Sequence, residues 1–252
     1  YDLRLPEVRE KQAAMAKEYG IYGFCYYHYW FNGKLLMERP LNEILESGKP
    51  DFPFCMCWAN ENWSRRWDGG DHHILIAQDY SEQDDIEHIR YLLPIFRDER
   101  YIKVDGKPLF IVYKPDEFPN IQRTIQIWRE EAKKEGMELY LCAFERVIGM
   151  TAEEECAVGF DAAIEFQPLS KARRAYTLIY GKQTILERIK NKLHKTYCQI
   201  LNKERIRKKD SIVDYKKFID LDLEQTHSCK CYPGVSPSWD NSSRRTKIWA
   251  TI

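Results

Sequence analysis

Short apolar runs alternate with amphipathic helical stripes along much of this chain, and no other feature restricts the fold so strongly. The runs are Ile21–Trp30, Phe52–Trp58, Gly106–Tyr113, Leu139–Phe144 and Phe160–Phe166. Each is nearly unbroken in apolar residues, the mark of a strand covered on both faces rather than one. Between them lie helical spacings. Leu5, Val8, Gln12, Met15 and Tyr19 recur at intervals of three and four, with Pro6 suited to a first turn and Gly20 to a stop. A short helix is expected around Leu41–Glu46. Ser81 with Asp84 starts the stripe Ile86, Ile89, Leu93 and Phe96; Asn120 caps a stripe of Ile121, Ile125, Trp128 and Ala132 that Gly136 closes. Thr151–Cys156 supplies one further turn. Regular β–α–β–α order predicts a parallel sheet, either barrel or doubly wound.

Two observations favour the barrel. No Gly-rich phosphate loop follows any of the runs, as a nucleotide-binding doubly wound sheet would usually show. Polar and aromatic residues crowd the C-terminal ends of the runs instead, the place where barrel enzymes keep their chemistry. The expected fold class is therefore α/β, a (β/α)8 TIM-type barrel. Five strands are plain and a sixth is expected near Cys231–Ser236, short of eight. The chain opens on a helix and closes without one, so residues 1–252 are expected to form a partial barrel whose first and last strands lie elsewhere.

Charge and composition exclude some classes. Lys plus Arg equal Asp plus Glu at 39 each, so no global field attracts nucleic acid. Locally the balance breaks: between Lys171 and Asp210 stand 13 Lys and Arg against three Asp and Glu. Ile185, Ile189, Leu193 and Ile200 give that stretch an apolar side, so a basic helical insertion is expected at 171–210. A solvated face is the bland account of it. Peripheral contact with anionic membrane is the sharper one, and nucleic acid fits least. No apolar run is long enough to span a bilayer. Eight cysteines could suggest disulfides. Cys25, Cys55, Cys57 and Cys142 sit inside apolar runs, however, where a thiol acts as a small hydrophobe. Reduced cysteines lean toward a cytoplasmic location, with membrane association through the basic stretch.

Three clusters carry chemistry. Cys57–Gly69 (CWANENWSRRWDG) places Trp58, Asn60, Glu61, Trp63, Arg65, Arg66 and Asp68 just after a buried strand. A carboxylate there could act as acid, base or nucleophile, amides could bind hydroxyls, and indole faces could stack on sugar C–H surfaces. A structural Glu61–Arg pair is the competing account. Tyr26–Asn32 (YYHYWFN) holds His28 and Trp30. Alternation sends Tyr26, His28 and Trp30 to one face and Tyr27 and Tyr29 to the other; His28 could shuttle a proton or rest as a satisfied core residue. Glu145 and Glu165 end two strands, and either could partner Glu61, since glycoside hydrolysis uses two carboxylates. Tyr113 ends another strand. Trp239 and Asp240, before Arg244 and Arg245, suit sugar or anion contacts or, equally, a surface turn. His227-Ser-Cys229-Lys-Cys231 has the form of half a zinc site without a visible second half, so no metal or cofactor is assigned.

YDLRLPEVREKQAAMAKEYGIYGFCYYHYWFNGKLLMERPL, GKPDFPFCMCWANENWSRRWDG, YLLPIFRDERYIKVDGKPLFIVYKP, GFDAAIEFQP and PGVSPSWDNSSRR together resemble the WbsX family. Its domain is similar to family 99 of the glycoside hydrolases. The resemblance implies a (β/α)8 barrel acting on glycans, related to retaining endo-α-mannosidases. Those enzymes use two carboxylates of a late-strand Asn-Glu-Trp-type motif, which is absent here, as is an opening Thr-Glu-Trp-type motif. The positions carried over are His28, Trp58, Asn60, Glu61, Arg65, Arg66, Asp68, Glu165, Trp239 and Asp240. The expectation is an enzyme that cleaves or transfers glycosyl groups in polysaccharide or lipopolysaccharide metabolism, on a glycan or lipid-linked oligosaccharide. Glu61 and Glu165 are its catalytic candidates. His28, Trp30, Trp58, Asn60, Trp63, Arg65, Arg66, Asp68, Tyr113, Glu145, Trp239 and Asp240 are expected to line the substrate site. The alternatives are a non-catalytic glycan-binding barrel and a sugar-nucleotide-dependent transferase.

Overall fold

A computed structural model describes residues 2–65, 70–180, 193, 211–239 and 250–251. Helix α1 (Pro6–Glu18) leads to β1 (Phe24–Phe31), which turns back through β2 (Lys34–Leu36) before α2 (Arg39–Ser47). β3 (Phe54–Trp58) follows, then a ribbon of β4 (Trp63–Arg65) and β5 (Gly70–Ile76), then α3 (Glu82–Phe96). β6 (Lys103–Val104) and β7 (Lys107–Val112) precede α4 (Ile121–Lys134), and β8 (Tyr140–Glu145) precedes α5 (Ala152–Ala157). β9 (Ala162–Glu165), α6 (Lys171–Tyr180), β10 (Ser211–Ile212), a helix over Tyr215–Leu223, β11 (Cys231–Tyr232) and β12 (Ala250–Thr251) complete the described elements.

The helix starts form as their caps dictate. The Ser81 side chain accepts the Asp84 N–H at 3.1 Å, and Asn120 accepts that of Arg123 at 3.1 Å. Thr151 and Glu154 form a reciprocal capping box on α5. The Asp84 carboxylate does not return to its own cap. It accepts the Trp30 indole N–H at 2.8 Å instead, and so ties α3 to β1.

In the main sheet β1, β3, β7, β8, β9 and β11 pair in parallel, each with the next in chain order. A doubly wound sheet reverses its strand order at a switch point; among the described strands no reversal occurs. The result is a mixed α/β fold with a mostly parallel central sheet wound in one direction. The polar stretch after β3 folds in part into the β4–β5 ribbon.

Register sorts the side chains into two layers. Tyr27, Cys57, Ile111 and Cys142 stand in one row, and Tyr113 and Phe144 follow two residues later on the same face. The opposite face carries His28, Met56, Trp58, Phe110 and Val112 against α3 and α4. There Trp58 and Trp128 are fully buried, with ring centroids 6.0 Å apart. This helix-facing layer is the larger part of the core. A smaller cluster of Ala172, Val213 and Phe218 holds α6 against the Tyr215–Leu223 helix.

Candidate active site

The C-terminal ends of the parallel strands present a band of rings on the face away from the helices. Tyr27 meets Tyr113 edge-on at 6.2 Å and Tyr29 at 6.3 Å; Tyr29 in turn meets Trp63 of the ribbon at 5.3 Å. Tyr113 also packs edge-on against Phe166 at 5.2 Å and Phe144 at 6.1 Å. The Arg146 guanidinium lies over the Tyr113 ring, 5.3 Å from its centroid, and its Nη2 donates to Asp116 at 2.5 Å. Tyr27 remains 48% exposed. For a large ring in a strand, that leaves a flat apolar face open to a ligand. Burial of the Tyr27 ring raises its phenol pKa, so it stays a protonated donor.

Glu61 joins this rim. Its Oε2 lies 2.9 Å from Lys114 Nζ, which also reaches Glu117 at 3.1 Å. Lys114 directly follows Tyr113, so the β3 and β7 tips meet through an ion pair beside the aromatic band. The main chain under that pair is locked by Asn60. Its Nδ2 donates to the Lys114 carbonyl at 2.8 Å and to Tyr80 Oη at 3.0 Å, and its Oδ1 accepts the Lys114 N–H at 2.8 Å. The Tyr80 hydroxyl returns a bond to the Asn60 carbonyl at 2.7 Å.

Several expected site residues lie elsewhere. His28, Trp30 and Trp58 occupy the helix-facing layer. His28 Nε2 is 2.9 Å from His88 Nε2, Trp58 Nε1 donates to the Trp30 carbonyl at 3.1 Å, and all three are nearly or fully buried. The strand alternation that grouped His28 with Trp30 was right, but the group faces α3 rather than a cleft. Burial depresses the His28 pKa to about 3, and that of His88 also falls well below the usual value. Both are neutral packing residues. Asn60, fully buried with its amide saturated, is a latch rather than a sugar contact.

Glu145 and Glu165 also leave the aromatic face. They are register partners on the helix-facing side. Glu145 is almost fully buried, and its Oε1 accepts the Ala152 N–H at 3.0 Å and meets Lys171 Nζ at 2.6 Å. Glu165 Oε2 accepts the Gly234 N–H at 2.9 Å. A Cβ at Gly234 would stand 2.5 Å from the Glu165 carbonyl oxygen, so the close approach requires glycine. Neither carboxylate joins Glu61 at the rim. Trp63 and Tyr113 lie where the sequence suggested. Trp239 is half-buried. The Arg65 side chain, Arg66, Asp68 and Asp240 lie outside the described residues, as do Ile185, Ile189 and Ile200 of the basic stretch. Tyr27, Tyr29, Lys114, Phe144, Arg146 and Phe166 were not picked out; shared parity with Tyr113 across the register was the signal that could have found all of them but Lys114.

Fold and rim together define a mixed α/β protein whose parallel strands deliver an aromatic, ion-paired surface at their C-terminal ends. The same fold is seen at 14% identity in the GH99 endo-alpha-mannosidase from Bacteroides thetaiotaomicron. That match has a TM-score of 0.51 and covers 98% of this chain and 57% of that one. A glycoside hydrolase-like protein matches with a TM-score of 0.53 at 14% identity, over 96% of this chain and 66% of its own. The chain belongs to the family described as Glycosyltransferase WbsX, whose sequence model matches residues 1–251. WxcX, an uncharacterized protein of Xanthomonas campestris pv. campestris, is 34% identical over 251 residues, 98% of this chain. The chain spans 32% of the length of that relative.

Proposed function

We propose that this chain forms part of a carbohydrate-active enzyme that cleaves or transfers glycosyl groups, working at the C-terminal rim of a (β/α)8 barrel of which the parallel sheet is an arc. The observation that carries the proposal is the continuous band Trp63–Tyr29–Tyr27–Tyr113–Phe166 beside the Glu61–Lys114 pair. Ring faces suit the C–H surfaces of pyranosides, while an anchored carboxylate accepts hydroxyl protons and stabilises positive charge developing at an anomeric carbon. Membership of the WbsX family and a fold shared with a GH99 endo-alpha-mannosidase support a glycan substrate. A polysaccharide or lipid-linked oligosaccharide fits best. A cytoplasmic site of action, peripheral to an anionic membrane through the basic stretch 171–210, belongs to the same proposal.

Singly wound strand order and the absence of a Gly-rich loop favour hydrolase-like or transglycosylase chemistry over use of a sugar nucleotide. The test offers the intact protein mannose-containing oligosaccharides and, in parallel, sugar nucleotides with lipid-linked acceptors. Turnover of the oligosaccharides is expected. Turnover only with sugar nucleotides would overturn the chemistry; no glycan binding or turnover in either arm would overturn the function.

A further inference from the structure

The half-motif His227-Ser-Cys229-Lys-Cys231 finds its complement on the helix-facing side of the sheet, away from the aromatic rim. β11 pairs with β9 so that Cys231 aligns with Ala163, two residues before Glu165 and on the same face; Glu145 stands beside Glu165 on β8. His227, from the turn before β11, reaches between the two carboxylates. Its Nε2 lies 3.8 Å from Glu145 Oε2 and 3.4 Å from Glu165 Oε1. One ligand atom each from Glu145, His227 and Cys231 falls within 4.8 Å of the others. Ligand atoms around a tetrahedral ion, bonded at about 2.0–2.3 Å, sit roughly 3.3–3.8 Å apart.

Three details mark this as a built site. Each carboxylate has one oxygen tied down and the other presented. Glu145 Oε1 is held by the Ala152 N–H and Lys171, and Glu165 Oε2 by the Gly234 N–H, while Oε2 of the first and Oε1 of the second face His227. Behind the imidazole, Nδ1 is buried without a hydrogen bond and stands 3.8 Å from Glu153 Oε1, the outer carboxylate that metal-bound histidines use to fix their ring. Finally, Glu155 on α5 is fully buried with neither carboxylate oxygen hydrogen-bonded; burial above all, and then the nearby Glu145 charge, raises its pKa to about 9. Unpartnered buried carboxylates are costly. A cation held at Glu145 would offset the part of that cost that comes from the Glu145 charge.

We propose that Glu145, His227 and Cys231 bind a divalent cation of the zinc class, with Glu165 or a water in the fourth position. A thiolate, an imidazole and a carboxylate together select zinc over the hard cations, which prefer oxygen alone. The ion sits behind the sheet, so its role is structural: it pins the turn before β11 to the tips of β8 and β9. This proposal is independent of the glycosyl chemistry at the rim.

The test uses the intact protein, stripped with chelator and titrated with Co2+ or Zn2+. The expected result is about one equivalent bound, a sulfur-to-cobalt charge-transfer band with tetrahedral d–d bands, and a raised Tm in zinc. Cys231→Ser should abolish the charge-transfer band and His227→Ala should weaken zinc binding at least about tenfold, whereas Cys229→Ser should keep both signals. Wild-type protein that binds no cobalt with a thiolate signature and gains no Tm in zinc overturns the proposal without any variant. So does a folded Cys231→Ser that retains the full band.

Discussion

The Nε2 atoms of His28 and His88 lie 2.9 Å apart in the layer between β1 and α3, where Trp30, Trp58, Phe110 and Trp128 enclose them. One ring must donate and the other accept, so the accepting ring cannot take a proton at Nε2 without breaking the contact. Both folded pKa values fall below the unfolded value of 6.5. The unfolded chain therefore binds more protons below pH 6.5. The stabilisation is fully present above that pH and is lost as pH falls toward 3. Each histidine contributes a slope of about 1.4 kcal/mol per pH unit, so the pair loses up to about 4 kcal/mol by pH 5. Urea unfolding at pH 7.5 and 5.0 checks this; equal stability at the two values, or a His28 resonance titrating near 6.5, contradicts the buried neutral pair.

Asn60→Ala removes a saturated amide that joins the β3 and β7 tips. It leaves the Lys114 N–H and carbonyl unpaired in a buried site, at about 1–3 kcal/mol for each orphaned group. A fall in Tm of roughly 6–12 °C is expected for a loss near 3 kcal/mol. Thermal unfolding within 2 °C of wild type would show that the latch is dispensable.

Trp58 and Trp63 should separate cleanly although five residues apart. Trp58→Ala empties a fully buried site and should cost about 3–5 kcal/mol. Trp63→Ala removes a ring that is only half-buried on the ribbon, and should spare the fold while weakening glycan binding about two- to tenfold, from loss of stacking near 0.5–1.5 kcal/mol. Calorimetry against an oligosaccharide ligand distinguishes them. A Trp63 variant that binds normally would remove the ribbon from the site.

Glu61→Gln keeps the shape of the side chain but removes the charge that faces Lys114. Turnover should drop at least about tenfold, the lower end of what an acid–base or orienting carboxylate contributes. Because Lys114 keeps Glu117 as an ion-pair partner, stability should change little. Steady-state kinetics on the intact enzyme decide it: unchanged kcat/KM would demote Glu61 to a structural partner of Lys114.

The basic stretch begins on α6, where Leu178, Ile179 and Tyr180 are exposed, and Leu193 beyond it is exposed as well. Apolar residues standing open on the helix that carries exposed Arg174 fit interfacial docking. Co-sedimentation with phosphatidylserine vesicles is expected at low salt and should fade as ionic strength rises toward 0.5 M. No sedimentation at low salt removes the membrane from the proposal.

Much of the fold was legible in the residues themselves. The five apolar runs became β1, β3, β7, β8 and β9, the sixth emerged at Cys231–Tyr232, Ser81 and Asn120 capped helices where their spacing said they would, and the turn over Thr151–Cys156 became α5. These features depend on contacts a few residues apart. The candidate site was legible only in part. Trp63, Tyr113 and Glu61 stood out as candidates by composition and position, while Tyr27, Phe144 and Phe166 looked like ordinary strand hydrophobes.

Alternation along β1 fixed that His28 travels with Trp30 and against Tyr27, because successive side chains of any strand point to opposite faces. It could not say which face meets helices and which meets ligand. That was decided when α3 and α4 packed His88 and Trp128 against one side, a choice made by side chains far away in sequence. The same long-range packing carried Glu145 and Glu165 away from Glu61 and toward His227. Local chain geometry divides residues into sets, and only the burial of one set against distant partners gives each set its function.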